Sequence, residues 1–187
     1  GRLRPLATIL GSGRPIAGPR DLPDDALGLM LNTSATTGRA KGVMLGIGNV
    51  RANYDPTPGW LGLDAGTVTL CALPLYNTFA LNQCINAPMV TGGTLVLLPR
   101  FDAEACLGAI HAHRCTFFPA VPTMLQKLFD HPAAGRYDLT SIRRIMTGGA
   151  PVPAALLERI QAAMGAGVRV LTGYGLTEAT AIVSLEH

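Results

Sequence analysis

Residues 94–119 read TLVLLPRFDAEACLGAIHAHRCTFFP. They hold one full unit of the fold. Thr94 to Leu98 is an apolar, β-prone run that Pro99 stops. Asp102 is suited to cap a helix running to about His113, and Glu104 puts an acid in its first turn, where the helix dipole favours one. Cys115 to Pro119 is a second strand. Strand, turn, helix, strand is a βαβ unit.

The rhythm continues on both sides. Upstream, Leu27 to Asn32 is a short apolar run ending in a Gly/Thr/Ser turn. Asn49 to Trp60 opens as a helix capped by Asn49 and breaks near Pro56. Thr67 to Leu73 is a strand stopped by Pro74, and Phe79 to Val90 is a buried helix closed by Gly92-Gly93. Downstream, Pro122 begins a helix at its first turn, where proline costs least, and the helix runs to Phe129. Ser141 to Met146 is a strand ending in Gly148-Gly149. Pro153 begins a helix to about Met164, and Val168 to Leu171 is the last strand, ending in Gly173-Tyr174-Gly175. The expected class is α/β: a mostly parallel sheet of about six strands with helices on both faces. Such sheets bind ligands beyond the carboxyl ends of their strands. The loops beginning at Thr33, Pro74, Pro99, Pro119, Thr147 and Thr172 are therefore the places to look.

Composition narrows the function. Charged residues are 14% of 187, hydrophobic residues 48%, and the net charge is +3. Disordered chains need the opposite balance. A nucleic-acid binder held by phosphates wants a dense basic face, which this chain lacks. Gly (22) and Pro (14) make up about a fifth of the chain without a three-residue period, so turns rather than collagen are implied. The window Ala65–Pro99 has no charged residue. Pro74, Asn77, Asn82, Gln83, Asn86, Pro88, Gly92 and Gly93 interrupt it well short of the ~18 apolar residues of a membrane span. Strands buried on both faces give the same composition. Cys71, Cys84, Cys106 and Cys115 form no CxxC pair and read as reduced, buried thiols of a cytoplasmic protein. Cys106, His111, His113 and Cys115 cluster in sequence. His111 and His113, two apart on a helix, face different ways, so helix surface and strand core are favoured over zinc.

Residues 1–25 read as an irregular arm, with a short strand at Leu6 to Leu10, and residues 26–184 as one α/β unit. Leu185-Glu186-His187 resembles the start of an appended tag and is set aside from the fold. On that reading the natural sequence runs on past Ser184, and the chain is a piece of a larger protein.

One loop carries chemistry of its own. Thr33-Ser34-Ala35-Thr36-Thr37-Gly38-Arg39-Ala40-Lys41-Gly42 gathers four hydroxyls and one of the chain's two lysines after an apolar strand. Hydroxyls and backbone N–H groups donate to phosphate oxygens, and the lysine adds a point charge. It is not a Walker A loop, because Gly42 follows Lys41 where that motif needs Ser or Thr. Alone, such a loop is also an ordinary polar turn.

Together with three later motifs, the sequence resembles the adenylate-forming superfamily of acyl-CoA synthetases, luciferases and peptide-synthetase adenylation domains. Thr33 to Gly42 is similar to its TSGTTG-x-PKG phosphate loop. Pro74-Leu75-Tyr76-Asn77 matches three of four positions of its PL-aromatic-His turn. Gly148 to Pro151 matches GGAP, and Tyr174 to Glu178 matches YG-x-TE. The resemblance covers about residues 24–184.

It implies that Thr33, Ser34, Thr36, Thr37, Gly38 and Lys41 hold the β- and γ-phosphates of ATP. Gly149, Ala150 and Pro151 would line the adenine, with Tyr174 stacked on it and Gly175 beside it. Thr177 would contact the α-phosphate and Glu178 would hold Mg2+. Asn77, Phe79, Leu81 and Gly148 would border the acyl pocket, although Phe79 and Leu81 read equally well as core. The uncharged stretch around them favours a fatty or aryl acid. The implied reaction joins a small carboxylic acid to AMP, then to coenzyme A or a carrier protein.

Ala35, Ala40 and Asn77 depart from the family's glycine, proline and histidine. An alanine at a position needing φ > 0 costs about 1 kcal/mol. The family's ribose-binding aspartate and its small C-terminal domain with a catalytic lysine have no counterpart here, so the isolated chain is expected to be inactive and to self-associate through uncovered apolar surface. A catalytically silent nucleotide-binding module and an interaction domain are the alternatives.

Overall fold

Five of the six expected strands line up in parallel. The computed structural model describes residues 21–33, 41–148 and 150–186. The arm as far as residue 20, with its expected strand at Leu6 to Leu10, lies outside them. The parallel strands are β3 (Val68–Cys71), β4 (Thr94–Leu97), β5 (Phe117–Pro119), β6 (Arg144–Gly148) and β7 (Arg169–Leu176). With β8 (Ala181–Glu186) they form one sheet in the order β4-β3-β5-β6-β7-β8. Only β8 runs antiparallel, against β7.

The sixth expected strand is elsewhere. β1 (Leu27–Asn32) pairs antiparallel with β2 (Gly42–Gly46) in a separate two-stranded sheet. Met30 and Met44 face each other across it and are both exposed. The place of β1 in the main sheet is taken by β8, which includes Leu185 and Glu186, the residues set aside from the fold in sequence. β7 also continues through Gly173-Tyr174-Gly175, which read as a loop. Glycines weaken a strand when it is alone, and here β8 supplies the missing partner.

Helices cover both faces. Phe118 and Ile145 pack under α5 (Ala103–His113), α6 (Pro122–Asp130) and α7 (Ala154–Met164), against Leu107, Ile110, Leu125, Leu128, Leu156 and Ile160. Phe117, Met146 and Leu171 point the other way, onto Leu61 of α2 (Thr57–Leu61) and Ala87 of α4 (Ala87–Thr91). Successive residues of β5, β6 and β7 thus enter different cores, as the period of two requires.

Local signals explain most ends. The Asp102 carboxylate accepts from the Ala105 N–H at 2.9 Å and caps α5 as expected. α4 ends at Gly92, whose φ of +72° suits a residue without Cβ. The segment expected as a helix from Asn49 is two helices, α1 (Ile47–Tyr54) and α2, parted at Asp55-Pro56. Asn49 is not its cap: it sits in the first turn of α1 and its side-chain oxygen accepts from the Gly46 N–H at 3.0 Å. The first free N–H groups of α1 reach back instead, Ile47 to Ala26 O and Gly48 to Asp24 O, both at 2.9 Å.

The helix expected over Phe79–Val90 is α3 (Thr78–Ala80), a π-helical stretch Leu81–Asn86, and α4. Gln83 lies in that stretch, fully buried, and neither atom of its amide has a hydrogen-bond partner among the described residues. An unmet buried amide costs about 1–3 kcal/mol. Gln83→Met keeps the unbranched shape and removes the polar atoms, so it is expected to raise Tm by roughly 2–4 °C. A lower Tm in a thermal melt would show that the amide is satisfied.

Candidate active site

The carboxyl ends of β3, β5, β6 and β7 open on one side of the sheet. The chain reverses its winding there, with β4 on one flank of β3 and β5 on the other. A cleft of about 450 Å³ lies beyond these ends. Asn77 and Phe79 enter it after β3, Val121 after β5, Gly148 from β6, and Tyr174, Gly175 and Thr177 from β7 and its turn. Among the described residues, no acidic or basic side chain lines it. A second, wider cleft of about 1070 Å³ is walled by Ala150, Pro151, Tyr174 and Gly175. Tyr174, 63% exposed, belongs to both.

The expected residues therefore fall into two groups that meet at Tyr174–Gly175. Thr177 opens a 3-10 turn, Thr177–Ala179, between β7 and β8. Glu178 follows it, exposed to solvent and outside both cleft walls. Leu81 is half-buried in the π-helical stretch and lines neither cleft. The Asn77 side chain is engaged as the cap of α3: its oxygen accepts from the Ala80 N–H at 2.8 Å.

Thr33 and Lys41 form the neck of the hydroxyl-rich loop. The Thr33 N–H donates to the Lys41 carbonyl at 3.0 Å, one step beyond the Asn32–Gly42 pair of the hairpin. The loop thus joins the two antiparallel strands of the hairpin. Exposed Lys41 stands at its base. Ser34, Ala35, Thr36, Thr37, Gly38 and Ala40 lie outside the described residues, as does Gly149.

A polar network supports the turn, and the sequence reading missed it. Asn53 of α1 donates from its amide nitrogen to the Ile182 carbonyl at 2.7 Å, and its oxygen accepts from the Ile182 N–H at 3.3 Å. Asn82, fully buried, donates to the Asn53 oxygen at 3.3 Å and to the Thr57 hydroxyl at 3.0 Å. Tyr54 donates to the Thr78 carbonyl at 3.4 Å, and burial pushes its hydroxyl up to about 12. The available signal was Asn82 and Asn86 inside an uncharged apolar window.

None of the four thiols lines either cleft. All four cysteines are free and buried, and burial pushes Cys106 up to about 12 and Cys115 up to about 11. His111 and His113 are exposed on α5, while Cys106 and Cys115 point into the core. No helix among the described residues is long and apolar enough to cross a membrane.

The residues present suit a nucleotide. An exposed aromatic ring beside Ala150, Pro151 and Gly175 is a stacking wall for a flat base. A single exposed carboxylate next to a hydroxyl suits Mg2+, which keeps most of its water and takes one or two carboxylates with phosphate oxygens.

The chain is similar to known proteins over most of its length. Feruloyl-CoA synthase of an Amycolatopsis species is 39% identical over 164 residues, covering 86% of this chain and 33% of that protein. The long-chain-fatty-acid–CoA ligase of Bacillus subtilis is 31% identical over 166 residues, covering 88% of this chain and 29% of that one. The crystal structure of ATP-bound MatB from Rhodopseudomonas palustris superposes with a TM-score of 0.82 at 28% identity, over 97% of this chain and 35% of that chain. The chain spans about a third of the length of each. The AMP-binding enzyme family model matches residues 8–187, and the chain belongs to that family.

Proposed function

We propose that this chain is the nucleotide- and acid-binding part of an acid–thiol ligase that activates a fatty or aryl carboxylic acid. The reading is carried by the meeting of the two clefts at Tyr174–Gly175. One has walls for a base, and the other, which no acidic or basic side chain among the described residues lines, suits an apolar acyl group. A substrate carboxylate in the narrower cleft, the one that Phe79 and Thr177 line, faces an α-phosphate beside Thr177. Its oxygen attacks the α-phosphorus, the bond to the bridging oxygen breaks, and pyrophosphate leaves with the electron pair. The acyl-adenylate then gives its acyl group to a thiol, coenzyme A or that of a carrier protein, and AMP departs.

Such chemistry depends on positioning and charge neutralisation. Lys41 and the hydroxyl loop hold the β- and γ-phosphates, Tyr174 stacks on the adenine, and the Thr177 hydroxyl donates to an α-phosphate oxygen. Mg2+, when bound at Glu178, supplies positive charge against the phosphates. Feruloyl- and long-chain-fatty-acyl-CoA-forming relatives support both acid classes.

The full-length protein is expected to exchange labelled pyrophosphate into ATP when given fatty or aryl acids. The 187-residue chain alone is expected to be silent, because removing part of a set of groups that act together removes most of the rate. It should still bind ATP weakly, at about millimolar Kd. Lys41→Ala is expected to weaken that binding about tenfold, the value of one charge-assisted contact. Equal affinity in a calorimetric titration would make the loop a polar turn only.

A further inference from the structure

The turn bearing Thr177 and Glu178 is strained. Thr180 closes it at φ +73°, a left-handed conformation that a β-branched residue rarely adopts. Such conformations cost of order 1–3 kcal/mol and persist where their surroundings hold them. What holds this one comes from far away in sequence. The Asn53 amide nitrogen donates to the carbonyls of Ile182, at 2.7 Å, and Ala179, at 3.5 Å. Its oxygen accepts from the Ile182 N–H. One side chain thus straddles Thr180 and Ala181.

Asn53 is itself fixed from behind. Its oxygen also accepts from Asn82, and its own carbonyl accepts from the Thr57 hydroxyl at 2.7 Å. Asn82 accepts in turn from Asn86 at 3.3 Å, and Asn86 donates to the Tyr54 carbonyl at 3.0 Å. Every link has a donor facing an acceptor, so the amide has one favourable orientation. The links join the helical segment that carries Phe79, on the acid side, to the turn that carries Thr177, on the phosphate side.

We infer that Asn53 is a positioning residue that clamps the Thr177–Ile182 turn and sets the Thr177 hydroxyl against the acid cleft. The structural part stands alone, and the catalytic consequence rests on the ligase reading. A bare apolar residue at 53 would leave the Ile182 carbonyl without its closest donor and release the strain at Thr180. Thr177 would then move relative to Phe79, and misplacement by about 1 Å can cost about 100-fold in rate.

The test compares Asn53→Ala, Asn53→Asp and Met89→Ala in the full-length protein. Asn53→Asp is isosteric and keeps the acceptor while losing both donations, so it serves if the alanine variant does not fold. Met89, exposed on α4, lies outside the network and both clefts. Hydrogen exchange at residues 177–182 is expected to quicken at least about tenfold in both Asn53 variants, with β5 and β6 unchanged. The kcat of pyrophosphate exchange should fall about 10- to 100-fold, with KM for the acid within about twofold. Met89→Ala should match wild type in turn exchange and kcat. Unchanged turn exchange in both Asn53 variants would overturn the clamp, and faster exchange with kcat intact would overturn its catalytic role. A wild-type protein that exchanges no pyrophosphate would defeat the ligase reading, while quickened turn exchange would still establish the clamp.

Discussion

Gly175→Ala is expected to destabilise the chain by about 3 kcal/mol and to abolish any activity that depends on the Thr177 turn. A Cβ built on Gly175 stands 1.8 Å from the Ala181 carbonyl oxygen and 2.8 Å from its carbon. Both are backbone atoms, so no rotamer relieves the clash. The strands can separate only by giving up the pairs Gly175–Ile182 and Leu176–Ala181, next to the irregularity in register at Tyr174–Gly175. Ile182 also carries two of the bonds to Asn53. For a chain of this size the loss corresponds to roughly 6–12 °C in Tm. Gly59→Ala is the control: a Cβ there meets nothing within 4 Å, and within a helix alanine is favoured over glycine by about 1 kcal/mol. Calorimetric melts of the two variants should move in opposite directions. A wild-type melt for Gly175→Ala would mean that β8 does not sit against β7.

Phe117→Ala and Phe118→Ala are each expected to cost about 3–5 kcal/mol, from separate cores. Both side chains are fully buried on β5, near the middle of the sheet. Phe118 lies among the residues of α5, α6 and α7, and Phe117 among Leu61, Leu63, Ala87, Met146 and Leu171. Neither cavity can be filled by the other ring, because the sheet stands between them. The combined loss reaches the ~5–15 kcal/mol that holds an ordinary domain, so the double variant should be unfolded at 25 °C. Urea denaturation reads both single values. A loss under about 1 kcal/mol at Phe117 would show that the face toward α2 and α4 is not a packed core.

The central βαβ units were legible because their signals are local. Asp102, Pro122 and the Gly92-Gly93 pair each act within a few residues of themselves, and the structure places α5, α6 and the end of α4 accordingly. The edges were not legible. Leu27 to Asn32 has the composition of a buried strand, yet it pairs in an outlying hairpin with Met30 exposed, and nothing local separates the two fates. β8 was hidden by the glycines before it, which read as a loop, and by the setting aside of its last two residues. Tyr174, Gly175, Thr177, Asn77, Phe79 and Gly148 were found by motif and do share one cleft. Asn53 was not found, because a lone amide on a helix has no signature until its partner, 129 residues away, is in place.

The pairing of β7 with β8 also bears on how the chain reaches its fold. Ala181 stands five positions along the chain from its partner Leu176, whereas Phe117 of β5 stands 48 positions from Thr69 of β3. By loop-closure entropy the first closure is cheaper by about 2 kcal/mol. Parallel pairs elsewhere in the sheet wait for a whole helix to be laid down between their strands. The strand pair that presents Tyr174 and Thr177 is thus the least dependent on the rest of the sheet for its assembly, and nucleation there places the chemically important end of the molecule early on the folding path.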